Sequence, residues 1–182
     1  MAFRSLPQMR LPAMPATPDD LFAFLDRLQI KHRTVSHPPV FTVAESHHLY
    51  EQIPGGHTKN LFLKDKRGAL KLVVALQDAA IELKSLHRRL GASGRFSFGS
   101  PDLLRETLGI EPGSVTPFAA INDQTRRVEV VLDQAMLRHE TLNYHPLVNT
   151  MTTSIGREDL VRFLEATGHP PRIALVSDEM TQ

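Results

Sequence analysis

Lys59 stands where a glycine pair, Gly55-Gly56, passes through His57 and Thr58 into the apolar run Asn60-Leu61-Phe62-Leu63. A cation at the mouth of an apolar enclosure suits gripping a phosphate or an ester oxygen. A second group is Glu111-Pro112-Gly113-Ser114 with Val115 after it. The Pro-Gly pair predicts a type II turn in which Gly113 supplies the positive φ. Consecutive N–H groups at Gly113, Ser114 and Val115 can bind a carbonyl or phosphate oxygen as an oxyanion hole does. A third is Tyr144-His145-Pro146-Leu147-Val148-Asn149, where a histidine and an asparagine near a strand end can meet a ribose or an α-amino group. Each has an ordinary use as well: a surface lysine, a plain turn, a His and an Asn bonded to nearby backbone.

Other chemistries are excluded or weakened. The 182 residues contain no cysteine, which removes disulfides, a thiol nucleophile and cysteine-ligated zinc, and is compatible with a reducing cytosol. Nine histidines are present, but H-E-x-x-H is absent. The adjacent His47 and His48 point to different faces, and His139 and His145 have no acid in an obvious partnering position, so no metal is expected. G-x-S-x-G, G-x-G-x-x-G and a P-loop are all missing. A net charge of +1 rules out a globally basic nucleic-acid coat. RNA contact would have to come from a local patch such as Lys84, His87, Arg88, Arg89 and Arg95. No apolar run approaches the ~20 residues of a membrane-spanning helix.

These groups need elements to hold them. In a strand over Lys59–Leu63, alternation sets Lys59, Leu61 and Leu63 on one face and Asn60 and Phe62 on the other. Asp65–Gly68 reads as a hairpin turn, and Leu70–Leu76, apolar on both faces, as a buried strand. Thr17-Pro18-Asp19-Asp20 opens a helix with a cap, a proline at its first position and acids in the first turn. A second helix is expected near Thr42, with Glu45 as capping-box partner. Further helices are expected around Glu82–Leu90, after the Ser100-Pro101-Asp102 cap to the Gly109 stop, at Asp133–Arg138 and over Arg157–Thr167. Lys31–Val35, Arg95–Phe98, Thr141–Tyr144, Thr150–Ile155 and Ile173–Val176 read as strands. Phe118–Ile121 and Val128–Leu132 read as a strand pair around a polar turn. The irregular alternation favours a mixed α/β (α+β) fold with a partly barrel-like sheet flanked by helices. Residues 1–16, rich in Met and Pro with Arg4 and Arg10 but no acid, read as a flexible extension without the apolar core of a secretory signal.

Five blocks together carry a resemblance: His37-Pro38-Pro39-Val40-Phe41-Thr42, Gly56-His57-Thr58-Lys59-Asn60-Leu61-Phe62-Leu63, Phe98-Gly99-Ser100-Pro101, Pro112-Gly113-Ser114-Val115-Thr116-Pro117-Phe118, and Leu142-Asn143-Tyr144-His145-Pro146-Leu147-Val148-Asn149. In this order they resemble the YbaK / prolyl-tRNA-synthetase-associated editing-domain family, closest to its free-standing alanyl-tRNA(Pro) deacylases. The resemblance implies one editing domain over residues 17–182 and a cytoplasmic trans-editing hydrolase without cofactor. It acts on the aminoacyl ester of mischarged tRNA(Pro) at the acceptor end, without DNA or membrane partners, and leaves room for transient association with prolyl-tRNA synthetase. The family's essential lysine falls on Lys59, its substrate-loop glycine on Gly113 and its active-site histidine on His145. Asn60, Thr58, Ser114 and Asn149 fall among the substrate-binding positions. Cysteinyl-specific relatives follow the lysine with a smaller polar residue, so Asn60 favours the alanine branch. A Cys-tRNA(Pro) deacylase, a non-catalytic tRNA-binding module and a metal-dependent hydrolase are the competing readings.

Overall fold

The computed structural model describes residues 14–40 and 43–178. In chain order the elements are α1 (Pro18–Arg27), β1 (His32–Ser36), α2 (Val43–Gln52), β2 (Gly56–Lys64), β3 (Leu70–Leu76), α3 (Leu83–Arg89), β4 (Ser97–Phe98), α4 (Pro101–Leu108), β5 (Val128–Asp133), β6 (Thr141–Tyr144), β7 (Met151–Gly156), α5 (Arg157–Ala166) and β8 (Arg172–Ala174). The strands form an eight-stranded mixed sheet in the order β1-β7-β6-β2-β3-β5-β8, with β4 added on β2. The expected mixed sheet flanked by helices is therefore present.

Local chemistry starts and stops the elements where the sequence marks them. Thr17 Oγ1 accepts the Asp20 N–H at 3.2 Å and the Asp20 carboxylate accepts the Thr17 N–H at 2.9 Å, a reciprocal cap on α1. Ser100 caps α4, and Gly109 ends it in the left-handed region at φ +62°. The β2–β3 turn is held by Asp65, whose carboxylate accepts the N–H groups of Arg67, Ala69 and Ser93.

β2 is the hinge of the sheet. Gly56 and His57 pair in parallel with Leu142 and Asn143 of β6. From Thr58 to Lys64 the strand pairs antiparallel with β3, Leu76 back to Leu70, without a break in register. On its β6 side no strand is paired with it again until β4 joins at Leu63 and Lys64. The sheet thus splits just beyond His57. One side of the assembly packs Leu21, Leu25, Leu104, Leu108, Phe118 and Phe163 from the helices against Phe62, Leu72 and Val74. On the other, α3 buries Leu86 and Leu90 against Leu63, Val73, Ala75 and Val131. About 25 cal/mol per Å² of apolar burial on both sides holds the hinge strand in place.

One expected strand is corrected. Pro117–Asn122 is a 3₁₀ helix rather than a strand paired with β5. Thr116 caps it by accepting the Phe118 N–H at 3.3 Å, and Pro117 occupies its first turn. A short apolar run buried on all sides carries no periodicity to separate helix from strand. Its Phe118 ring meets Tyr144 and Phe163 edge-on, at centroid distances of 5.8 and 5.4 Å. β5 instead pairs in parallel with β3 and β8.

Residues 1–13 of the expected extension and the cap expected at Thr42 lie outside the described residues. Ala16 donates its N–H to Asn122 Oδ1 at 2.8 Å. Arg89 leaves the basic cluster for structural work, bonding the carbonyls of Val176 and Ser177 at 3.3 Å and pairing with Asp178. No helix among the described residues is long and apolar enough to cross a membrane.

Candidate active site

The split between β2 and β6 opens a cavity of about 230 Å³, bordered by Thr58 and Asn60 from β2, Tyr144 and His145 from the end of β6, Gln77 beyond β3, and Thr152 of β7. Thr58 Oγ1 donates to the Asn143 carbonyl at 2.8 Å, pinning the two strands where they part. Three predicted site residues, Thr58, Asn60 and His145, are therefore brought together although roughly ninety positions separate them.

Asn60 is the unusual member. Its Oδ1 is buried and has no hydrogen-bond partner. An unsatisfied buried acceptor costs about 1–3 kcal/mol, and Asn60 carries that cost at the border of the cavity.

His145 is positioned by backbone. Its Nδ1 lies 2.9 Å from the Met151 carbonyl, so Nδ1 carries the proton and donates, leaving the Nε2 lone pair available. Burial lowers its pKa, the Met151 carbonyl partly opposes this, and neighbouring His37 lowers it further. The ring is neutral at pH 7 as a result. His37 sits 6.3 Å away, centroid to centroid; it donates through Nδ1 to the Pro38 carbonyl at 2.9 Å and accepts from Thr152 Oγ1 at 2.8 Å.

Gly113 has φ +89°, as the turn requires. Ser114 is buried, and its N–H closes the turn on the Glu111 carbonyl at 3.0 Å. No acceptor among the described residues takes the Gly113 N–H. A Cβ on Gly113 would lie 4.0 Å from Asn149 Nδ2, so the two predicted loops adjoin, though neither residue borders the 230 Å³ cavity.

Lys59 goes elsewhere. Its side chain follows Leu61 and Leu63 to the α3 side of the sheet, and Nζ donates to the Ala79 carbonyl just past β3. The unbroken β2–β3 register, Lys59 opposite Ala75 and Asn60 opposite Val74, keeps the two on opposite faces. Sequence reasoning missed Tyr50 and Gln77. Tyr50 stacks on His57 at 4.0 Å and walls the cavity from α2, and no spacing in the sequence marked it. Among the described residues no group of three or more His, Asp or Glu side chains is placed to hold a metal ion.

The profile of the aminoacyl-tRNA editing domain matches residues 37–163, well over half of the chain. Prolyl-tRNA synthetase associated domain-containing protein 1 of Danio rerio is 41% identical over 156 residues, spanning 85% of this chain and 84% of that protein. Prolyl-tRNA editing protein ProX of Acetoanaerobium sticklandii is 36% identical over 150 residues, spanning 82% of this chain and 91% of that protein. Among solved structures, hypothetical protein APE2540 superposes with a TM-score of 0.68 at 20% identity, over 87% of this chain and 99% of that one, a likeness of fold. The chain belongs to the aminoacyl-tRNA editing domain family.

Proposed function

We propose that the protein is a trans-editing deacylase that hydrolyses the ester of alanyl-tRNA(Pro), releasing alanine and free tRNA. The observation that carries this reading is the unpartnered Asn60 Oδ1, with Asn60 and a neutral His145 bordering the same 230 Å³ cavity. The α-ammonium group of an aminoacyl ester is the donor Asn60 lacks. An aminoacyl ester is already activated, so no covalent nucleophile is needed; the site has to orient it, stabilise the developing oxyanion and admit water. The Gly113 N–H, on the loop beside Asn149 and outside the 230 Å³ cavity, binds the ester carbonyl oxygen only where the ester extends out of that cavity to the loop. His145 Nε2 accepts from the water or ribose hydroxyl that starts the attack. Lys59 lies on the opposite face of β2, bonded to the Ala79 carbonyl, and meets the substrate's phosphate or ester only by releasing that carbonyl and leaving the α3 side. The names of the relatives, an editing protein for prolyl-tRNA among them, support the tRNA(Pro) assignment.

An editing enzyme has a physical reason to exist here. A synthetase pocket built for proline rejects a smaller side chain poorly, since each missing methylene is worth only about 1–3 kcal/mol. A second pocket that excludes proline by shape completes the selection. Deacylation of alanyl-, cysteinyl- and prolyl-tRNA(Pro) by the wild type tests the reading. Alanyl-tRNA(Pro) is expected to be cleaved at least tenfold faster than the other two. Equal turnover of the prolyl ester would overturn the size sieve, and faster cysteinyl cleavage would move the protein to the Cys-tRNA(Pro) branch.

A further inference from the structure

A second, larger cavity of about 480 Å³ adjoins the first. The two share Ser46, Tyr50, His57 and Gln77 as a common wall. Beyond that wall the larger chamber is bordered by Leu76, the bare backbone of Gly55 and Gly56, and the rings of His47 and His139. We propose that this chamber holds the terminal adenine of the substrate RNA, so that base and aminoacyl group occupy two compartments on either side of the Tyr50–His57 wall. The proposal rests on the deacylase reading in one respect: the ester in the smaller cavity sets the terminal ribose at the divide, which places its base one step away.

The lining fits a flat aromatic base. Tyr50 and His57 stack at 4.0 Å with an interplanar angle of 27°, and His47 meets Tyr50 edge-on at 6.3 Å. His57 is locked in that stack, its Nε2 donating to the Ile53 carbonyl at 2.8 Å. His139, exposed at its outer side, rests on Gly56: a Cβ there would stand 3.0 Å from His139 Cγ and 3.2 Å from Leu76 Cδ2. Glycine at that position is what lets an imidazole and a leucine close on the same backbone and leave a slot beside them. Aromatic and histidine rings are the usual stacking partners of an unpaired RNA base. The chamber is of the size that takes a nucleoside, whereas the first cavity is about half as large. Gln77 and Asp78 at the rim offer an amide and a carboxylate to the base edge, and the Asp78 carboxylate suits the exocyclic amine of adenine rather than a phosphate. Neither ring of the outer wall is committed elsewhere in the proposed chemistry.

The test titrates full-length protein with 5′-AMP, ribose 5-phosphate and inorganic phosphate, following the imidazole resonances of His47, His139 and the remote His32 by NMR. AMP is expected to shift His47 and His139 and leave His32 unmoved. The AMP Kd is expected to rise at least fivefold in His139→Ala and to recover in His139→Phe, which keeps a ring. KM for alanyl-tRNA(Pro) should rise by a similar factor in His139→Ala with kcat within twofold. Equal shifts from ribose 5-phosphate or inorganic phosphate, or none from AMP, would overturn the base chamber even if the protein deacylates. AMP bound in the chamber of a protein that cleaves no aminoacyl-tRNA would uphold the chamber and sink the deacylase reading.

Discussion

Lys59 and Asn60 are consecutive in β2 and reach opposite sides of the sheet: Asn60 borders the cavity between β2 and β6, and Lys59 bonds the Ala79 carbonyl on the α3 side. An unbroken register with β3 enforces the separation, with no bulge to bring both side chains together. Of the two, only Asn60 borders the cavity.

Replacing Lys59 tests the charge. Lys59→Ala loses a hydrogen bond from an ammonium to a carbonyl, worth about 1.5–3 kcal/mol, so its thermal midpoint should fall by about 3–12 °C with the protein still folded. Deacylation of alanyl-tRNA(Pro) should fall by about 100-fold or more. Wild-type turnover in this variant would remove Lys59 from the chemistry.

Asn60 should show the opposite trade. Asn60→Leu deletes a buried acceptor without a partner, so stability is expected to hold or to rise by about 1 kcal/mol. kcat/KM should drop at least tenfold with the amino-group acceptor gone. A variant both less stable and equally active would mean that Asn60 serves the fold alone.

At Gly113 space and backbone can be separated. A methyl group there would meet nothing closer than Asn149 Nδ2 at 4.0 Å, but φ is +89°. Gly113→Ala is expected to cost about 1–2 kcal/mol in urea unfolding through left-handed strain alone. Because alanine keeps the N–H, a loss of kcat beyond tenfold in a folded Gly113→Ala supports a catalytic need for the left-handed loop conformation that aims it, and an unchanged kcat counts against that need.

His145 sets an acid limit on activity. Burial lowers its pKa from the ordinary value of about 6.5, so the neutral, active form should persist through pH 7 and below. A kcat/KM profile flat above neutrality, falling on an acid limb with its midpoint below about 6.5, is expected. A midpoint well above that value would contradict the neutral-imidazole role.

Stability has its own acid limb at Asp123. Burial pushes this carboxyl up, but the bond from His169 at 3.0 Å and the N–H groups of Val128 and Arg127 outweigh it and hold the pKa below the usual range. A carboxylate with a depressed folded pKa stabilises the fold above its unfolded pKa of about 3.9 and loses that contribution as pH falls through the folded value. Acid unfolding should therefore lose this dependence in Asp123→Asn. His169→Ala, which strands a buried carboxylate, should cost about 3–5 kcal/mol at pH 7.

Much of the fold was legible in the chain. Thr17, Ser100 and Gly109 mark helix ends because capping is settled within four residues. Asp65–Gly68 declares its turn for the same reason. Phe118–Ile121 misled because a short run buried on all sides has no polar face to reveal its period. Tyr50 was invisible because only the docking of α2 brings its ring onto His57.

The sequence by itself determined the order and caps of the elements, the positive φ at Gly113, and the alternation that parts Lys59 from Asn60. All of these are properties of a few consecutive residues. Only the tertiary structure decided which face of β2 meets the cavity, that Asn60 Oδ1 would be buried without a partner, and that His145 would border the same cavity with Nδ1 already spent on Met151. Those outcomes follow from β2 leaving β6 just after His57, a parting set by pairings between segments more than eighty residues apart. Local periodicity can say that two neighbours diverge, but which one enters a site depends on what the rest of the chain packs against each face.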